Sequence, residues 1–208
     1  MKSSLSTITL LLLLSAATAY SQPVPKKIDV TKLGPQVGDL MADFQLKDQN
    51  GRAWTRDALM GSNGLMLVLS RSADWCPYCK TQLVELQSRL PELRKEGMGL
   101  AVMTYDSPAI LADFSRRRGI TFPLLSDQGS STIKAYGLLN TTVDPTSMNY
   151  GIPFPGTFIV NRQGVVTARF FEEAYQERNT VASILLKLGD PSHEIDAQRL
   201  TTDHVEIT

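Results

Sequence analysis

Two histidines and two cysteines are all the imidazole and thiol that this chain of 208 residues possesses. The histidines, His193 and His204, lie beyond the last apolar periodicity, and their separation matches no zinc-finger spacing. A Cys-His hydrolase lacks its base for the same reason, so neither a metal site nor that hydrolase chemistry is expected. An excess of charge is absent as well: 21 basic residues balance 21 acidic ones without a run of either sign. This argues against nucleic acid or an anionic membrane surface as partner. A long apolar run is also missing. The longest, Leu5 to Ala19 around the five leucines Leu10 to Leu14, falls short of the ~20 residues that cross a bilayer. With Lys2 ahead of it and small residues after it, this stretch reads as an export signal with cleavage after Ala19 or Ser21. An uncleaved anchor fits its length less well, and no nearby cysteine could carry a lipid. An exported, periplasmic or extracytoplasmic location is expected.

What is present is organised as one domain. Residues 1–21 form the signal segment, 22–36 an extended lead-in with three prolines, 37–190 the folded domain and 191–208 a polar tail. Phe44 to Leu46, the turn signal Asn50-Gly51 and Ala53 to Thr55 predict an N-terminal hairpin ahead of the main sheet. Leu65 to Leu69 is a continuous apolar run, as expected of a strand buried on both faces. From Pro77 to Leu90, Leu83, Leu86 and Leu90 keep helical spacing with Cys79 on their face, and Pro91 ends or kinks that helix. Leu100 to Thr104 is the next buried strand, which makes a right-handed parallel crossover. Ser107-Pro108 caps a helix with Ile110, Leu111 and Phe114 on its core face and Gly119 at its end. A short strand at Phe122 to Leu125 and a helix from Ser130 to Tyr136 follow. The irregular stretch Leu138 to Pro155 is long enough to form a loop over the site. Gly156 to Val160 and Val165 to Phe170 flank a hairpin turn, and Val181, Ile184, Leu185 and Leu188 make the last helix.

The cysteines stand at i and i+3, as Cys76-Pro77-Tyr78-Cys79, where a strand runs into a helix. A disulfide between them would close almost no loop, so a scaffolding role explains them poorly. The free N–H groups and dipole of the first helical turn favour a thiolate at the first position. Cys76 is therefore expected to be the exposed nucleophile of lowered pKa, with Lys80 adding a nearby positive charge. Cys79, buried on the core face, would resolve the mixed disulfide and close a redox-active Cys76–Cys79 bridge, with no other cofactor. Pro77 fixes the first turn. Trp75 packs beside the nucleophile, where it would also shield the thiolate and contact substrate.

Ala73-Asp74-Trp75-Cys76-Pro77-Tyr78-Cys79-Lys80 resembles the active site of the thioredoxin superfamily. The resemblance implies an α/β fold, a central mixed sheet flanked by helices, here with an N-terminal β-hairpin extension. Phe154-Pro155-Gly156-Thr157-Phe158 is similar to that family's cis-proline loop, which implies a cis bond at Pro155 and substrate contacts from Trp75, Pro77, Tyr78, Phe154 and Pro155. Thr104-Tyr105-Asp106-Ser107-Pro108, Phe122 to Asp127 and Ala135-Tyr136-Gly137 resemble instead the alkyl hydroperoxide reductase and thiol-specific antioxidant branch, the peroxiredoxins. That branch sets its peroxidatic cysteine in Pro-x-x-x-Thr-x-x-Cys and uses an arginine before the late strand. Here Ala73 and Leu69 stand at the threonine and proline positions, and Pro155 at the arginine. Ser70 occupies the place of thioredoxin's buried acid, leaving that role unfilled or met elsewhere. Pro77-Tyr78 is the dipeptide of glutaredoxins and implies a potential more oxidising than thioredoxin's.

These features together predict a thiol-disulfide oxidoreductase acting on exported protein or small-molecule disulfides with an unidentified redox partner. A thiol peroxidase is the first alternative, disfavoured by the missing threonine and arginine donors. A non-enzymatic binding or metal-delivery module using the surface around Pro155 and the Leu138 to Phe154 insertion is the second.

Overall fold

The structure, a computed structural model, describes residues 29–171 and the helix 181–187. The signal segment, most of the lead-in, the tail and Leu188 lie outside the described residues. Seven strands form one mixed sheet: β1 (Gln45–Asp48), β2 (Ala53–Thr55), β3 (Gly64–Leu69), β4 (Met98–Thr104), β5 (Leu124–Ser126), β6 (Gly156–Val160) and β7 (Val166–Phe171). Their order is β2-β1-β5-β4-β3-β6-β7, with β3, β4 and β5 parallel and the outer pairings antiparallel. The helices are α1 (Pro77–Ser88), α2 (Leu90–Lys95), α3 (Pro108–Arg118), α4 (Ser131–Ala135) and α5 (Val181–Lys187). The expected hairpin forms, but β1 pairs with β5, so it is an arm of the main sheet rather than a separate unit ahead of it.

Every residue of β3 is buried, and alternation divides them between two cores. Met66 and Val68 pack with Leu83 and Leu86 of α1, Leu93 of α2, Leu111 and Phe114 of α3 and Ile184 of α5. Leu65, Leu67 and Leu69 face the other way, towards Ile133 of α4, Tyr136, Phe158 and Met41. A run apolar at every position is thus what a strand between two helical layers requires. On α3 the spacing misled at one place. Leu111 and Phe114 are fully buried, while Ile110, in the first turn of the helix, is 36 % exposed. Gly119 ends α3 in the left-handed conformation, with its N–H donating to the Ser115 carbonyl.

The break expected at Pro91 falls at Arg89, which closes α1 and opens α2, with Pro91 in the first turn of α2 where its missing N–H costs nothing. The described part of the lead-in is not extended. Asp29 caps a 3-10 turn at Val30–Lys32, and the Arg169 guanidinium on β7 donates to the carbonyls of Val30 and Leu33 and to Gln36. Leu40 then bridges Val165, and Val166 N donates to Asp39 O, so the first residues of the domain cover part of the β7 edge.

Candidate active site

The loops at the carboxyl ends of the parallel strands meet at one end of the sheet, where open α/β sheets place their sites. Ser70 N donates to Met103 O, which extends the β3–β4 ladder one step past Leu69 before the chain turns into the loop that carries the dithiol. Cys76 is the N-cap of α1. It has an extended backbone, Pro77 follows it at the first helical position, and its Sγ accepts from Cys79 N at 3.3 Å. The sulfur therefore occupies the place where a capping oxygen would meet the free N–H groups of the first turn. Cys76 and Cys79 are joined as a disulfide with Cα atoms 5.3 Å apart.

Cys79 is buried as expected, at 0 % exposure, but Cys76 is also buried, at 1 %. This differs from the exposed position expected of Cys76 at the head of the helix. In the bridged state its Sγ is bonded to the inner sulfur and turned over the first turn, so the exposed rim belongs to Asp74, Pro77 and Tyr78 instead. Lys80 Nζ donates to the Asp74 carbonyl at 2.8 Å. Its charge thus sits beside the loop and also closes it.

Trp75 is half-buried, with its indole N–H donating to Tyr105 Oη at 2.9 Å and the Arg71 guanidinium 4.9 Å from its ring centroid. Burial pushes the Tyr105 hydroxyl up from its ordinary pKa, so it is present as the phenol. Pro155 precedes β6, and the pairing of Leu69 with Gly156 sets it level with Ser70, at the entrance of the dithiol loop. Phe154 and Pro155 are both buried. The Phe154–Pro155 bond is trans, since no cis peptide occurs among the described residues, which corrects the expectation drawn from the cis-proline resemblance. The trans form, the intrinsically favoured one, carries the chain extended from the Leu139–Pro153 bridge and the Phe154 N to Leu138 O bond straight into β6. A Cβ on Gly156 would meet the Phe171 ring at 2.3 Å, so any side chain there would have to displace that ring.

The stretch 138–155 is a hairpin-like loop whose base is zipped and whose tip exposes Met148. Ser130 Oγ donates to Gly151 O at 2.6 Å, and a Cβ on Gly151 would lie 3.4 Å from the Tyr105 ring. The base of the loop therefore packs beside Tyr105, and through it beside Trp75.

Residues that no spacing rule selected complete the site. Asp106, at the end of β4, accepts from Ser72 Oγ, Ala73 N and Thr104 Oγ1, all in the buried interior. Burial pushes its carboxyl up from the ordinary value, and the three hydrogen bonds offset this only in part. Ser70 Oγ is buried without a hydrogen-bond partner, and the buried carboxylate tied to this loop is that of Asp106, just past the end of β4. The sequence signal for Asp106 is Thr104-Tyr105-Asp106-Ser107-Pro108, in which spacing alone marks only the Ser107 cap. Among the described residues no three potential metal ligands cluster.

The family model for the AhpC/TSA family matches residues 37–169. Alkyl hydroperoxide reductase E of Mycobacterium tuberculosis is 31 % identical over 138 residues, which is 65 % of this chain and 84 % of that one. Thiol-disulfide oxidoreductase ResA of Geobacillus thermodenitrificans is 28 % identical over 163 residues, 77 % of this chain and 82 % of that one. Among solved structures, a thiol peroxidase from Chromobacterium violaceum superposes with a TM-score of 0.61 at 24 % identity, over 76 % of this chain and 90 % of that one.

Proposed function

The chain belongs to the AhpC/TSA family, whose relatives here are thiol-disulfide oxidoreductases or peroxidases, and within it we propose that this protein exchanges thiols and disulfides. One observation carries the reading: Cys76 caps α1 with the Cys79 N–H directed at its sulfur, and Cys79 lies fully buried behind it. In the reduced protein the Cys76 thiolate attacks a disulfide sulfur, forms a mixed disulfide and expels the other sulfur as a thiolate. Cys79 gives up its proton and attacks Cys76 Sγ, which releases the second substrate thiolate and closes the bridge. The substrate gains two electrons and the dithiol loses them; the reverse sequence oxidises a dithiol substrate. Exposed Pro77 and Tyr78, with half-buried Trp75, form the contact rim, and Phe154 and Pro155 contribute once substrate opens the loop. The export signal read at Met1 to Ser21 puts this exchange outside the cytoplasm, on proteins or small disulfides of that compartment.

Cys79→Ser is expected to accumulate mixed disulfides through Cys76, visible on non-reducing gels and lost in Cys76→Ser. A Cys79→Ser protein that traps no partner sinks the exchange reading.

The names of the relatives favour peroxide reduction as a second reading. There the Cys76 thiolate takes the terminal oxygen of a hydroperoxide, releases the alcohol and becomes a sulfenic acid, which Cys79 condenses to the bridge with loss of water. Pro155 stands where that chemistry usually has an arginine. The guanidinium of the dithiol loop, Arg71, is placed over the Trp75 ring. Stopped-flow peroxide consumption no faster than a free thiol's separates exchange from this alternative.

A further inference from the structure

The end of β4 holds the dithiol loop through three consecutive residues, Thr104, Tyr105 and Asp106. The Asp106 carboxylate is 4 % exposed. Its Oδ1 accepts from Ser72 Oγ at 2.9 Å, and its Oδ2 accepts from Ala73 N at 2.7 Å and Thr104 Oγ1 at 3.1 Å. Ser72 Oγ, its proton committed to Asp106, in turn accepts from Asp74 N at 2.9 Å and Trp75 N at 3.4 Å. Thr104 Oγ1 accepts from Asp106 N at 2.9 Å, so its proton too is free to point at the carboxylate. Three hydrogens converge on the two oxygens. A proton on Oδ1 would face a serine oxygen whose lone pairs are both engaged. A proton on Oδ2 would meet the Ala73 N–H or displace the Thr104 hydroxyl.

We propose that Asp106, as a carboxylate, is a positioning residue for the thiol chemistry of Cys76: through Ser72 it fixes the backbone of Asp74 and Trp75, and with it the entry of Cys76 into α1. This rests on the exchange reading for its purpose, but not for its test. Further ties lie towards the ends of the loop: Ser70 N to Met103 O at the start, and Lys80 Nζ to Asp74 O and Trp75 to Tyr105 near the dithiol. Asp106 holds the middle. The charged and titratable groups around it are Asp74 of the dithiol loop, Tyr105 beside it in sequence and Asp127 at the end of β5, whose N–H donates to Thr104 O. Asp74 opposes its ionisation. Asp127 is committed to the N–H groups of Thr132 and Ile133 in α4. Because burial outweighs the three hydrogen bonds, Asp106 takes up its proton at a higher pH than a surface carboxyl, and the loop then loses a bond.

The test is the alkylation rate of reduced Cys76 by iodoacetamide in a Cys79→Ser background, from about pH 4 to pH 9, a range that spans carboxyl and thiol titrations. With Asp106 present, the acid side of the profile is expected to steepen from first to second order in hydroxide. With Asp106→Asn it should stay first order, at a rate roughly tenfold lower near neutrality, the scale of a modest misplacement of a reacting group. Identical profiles in the two proteins overturn the proposal. So does a lowered rate with the steepening intact, which would put the second proton elsewhere. If thermal melts show Asp106→Asn unfolded, Ser72→Ala decides: it leaves Asp106 titrating but cut off from Asp74 and Trp75, so the acid side must become first order, and an unchanged profile overturns the proposal. Alkylation needs no disulfide substrate. A failed trapping experiment alongside a steepened profile would therefore count against the exchange reading alone.

Discussion

The protein has two tryptophans, and each sits in a cluster with an arginine near its ring, a hydrogen-bonded indole N–H and a buried aspartate close by. At the hairpin, Trp54 donates to Asp48 Oδ2 at 2.9 Å, Arg52 lies 3.8 Å from the ring centroid, and Asp48 Oδ1 accepts from Asn50 N and Arg52 N. At the dithiol, Trp75 donates to Tyr105, Arg71 lies near its ring, and Asp106 gathers Ser72 and Ala73. The ingredients match and the connectivity does not. The hairpin bonds join residues two to six positions apart, whereas those across the dithiol site join residues 30 to 34 apart. One cluster shapes a turn; the other welds two strand ends and so depends on the whole sheet.

That difference predicts unequal costs. Asp106→Ala strands two hydroxyls and one N–H in the interior and is expected to destabilise the fold by roughly 3 kcal/mol in urea unfolding. Asp48→Ala should cost about 1–2 kcal/mol, because its turn partners Asn50 and Arg52 are exposed and water can replace the lost acceptor. Equal losses would break the comparison. The sign of the pH response sharpens it. The folded-state pKa of Asp106 is raised above the ordinary 3.8, so the folded protein holds this proton more tightly than the unfolded chain. Its contribution is complete below the unfolded value and is lost as pH rises through the folded one. The stability of the wild type relative to Asp106→Asn should therefore fall with rising pH over that window, and a rise would contradict the assignment.

Smaller effects follow. Tyr105→Phe removes the acceptor of the Trp75 indole and should cost about 1 kcal/mol, with slower alkylation of Cys76, whereas no hairpin substitution should touch that rate. Arg52→Ala, which removes an exposed cation–π contact, is expected to cost about 0.5 kcal/mol and to leave Cys76 reactivity unchanged. A hairpin variant that altered thiol reactivity would show that the two clusters communicate through β1 and β5.

Much of the fold was legible because its cues are local. The apolar run of β3, the Asn50-Gly51 turn, the Ser107-Pro108 cap and Gly119 each act within a few residues, and each forms as its residues dictate. The i, i+3 cysteines and Pro77 likewise fix the dithiol at a helix start. Illegible were the docking of the hairpin onto β5, the trans bond at Pro155, the folded lead-in under Arg169 and the burial of Cys76. Each depends on a surface supplied by a distant part of the chain.

The sequence by itself determined a dithiol at the head of a helix, between two buried parallel strands, because periodicity, caps and spacing are properties of neighbouring residues. Only the tertiary structure decided how that dithiol is held. No acid stands on β3 at Ser70; the buried carboxylate tied to the dithiol loop is Asp106, two residues past β4, since parallel strands bring their carboxyl ends together whatever their separation in sequence. The pairing β3–β4 put Asp106 against the loop of Cys76.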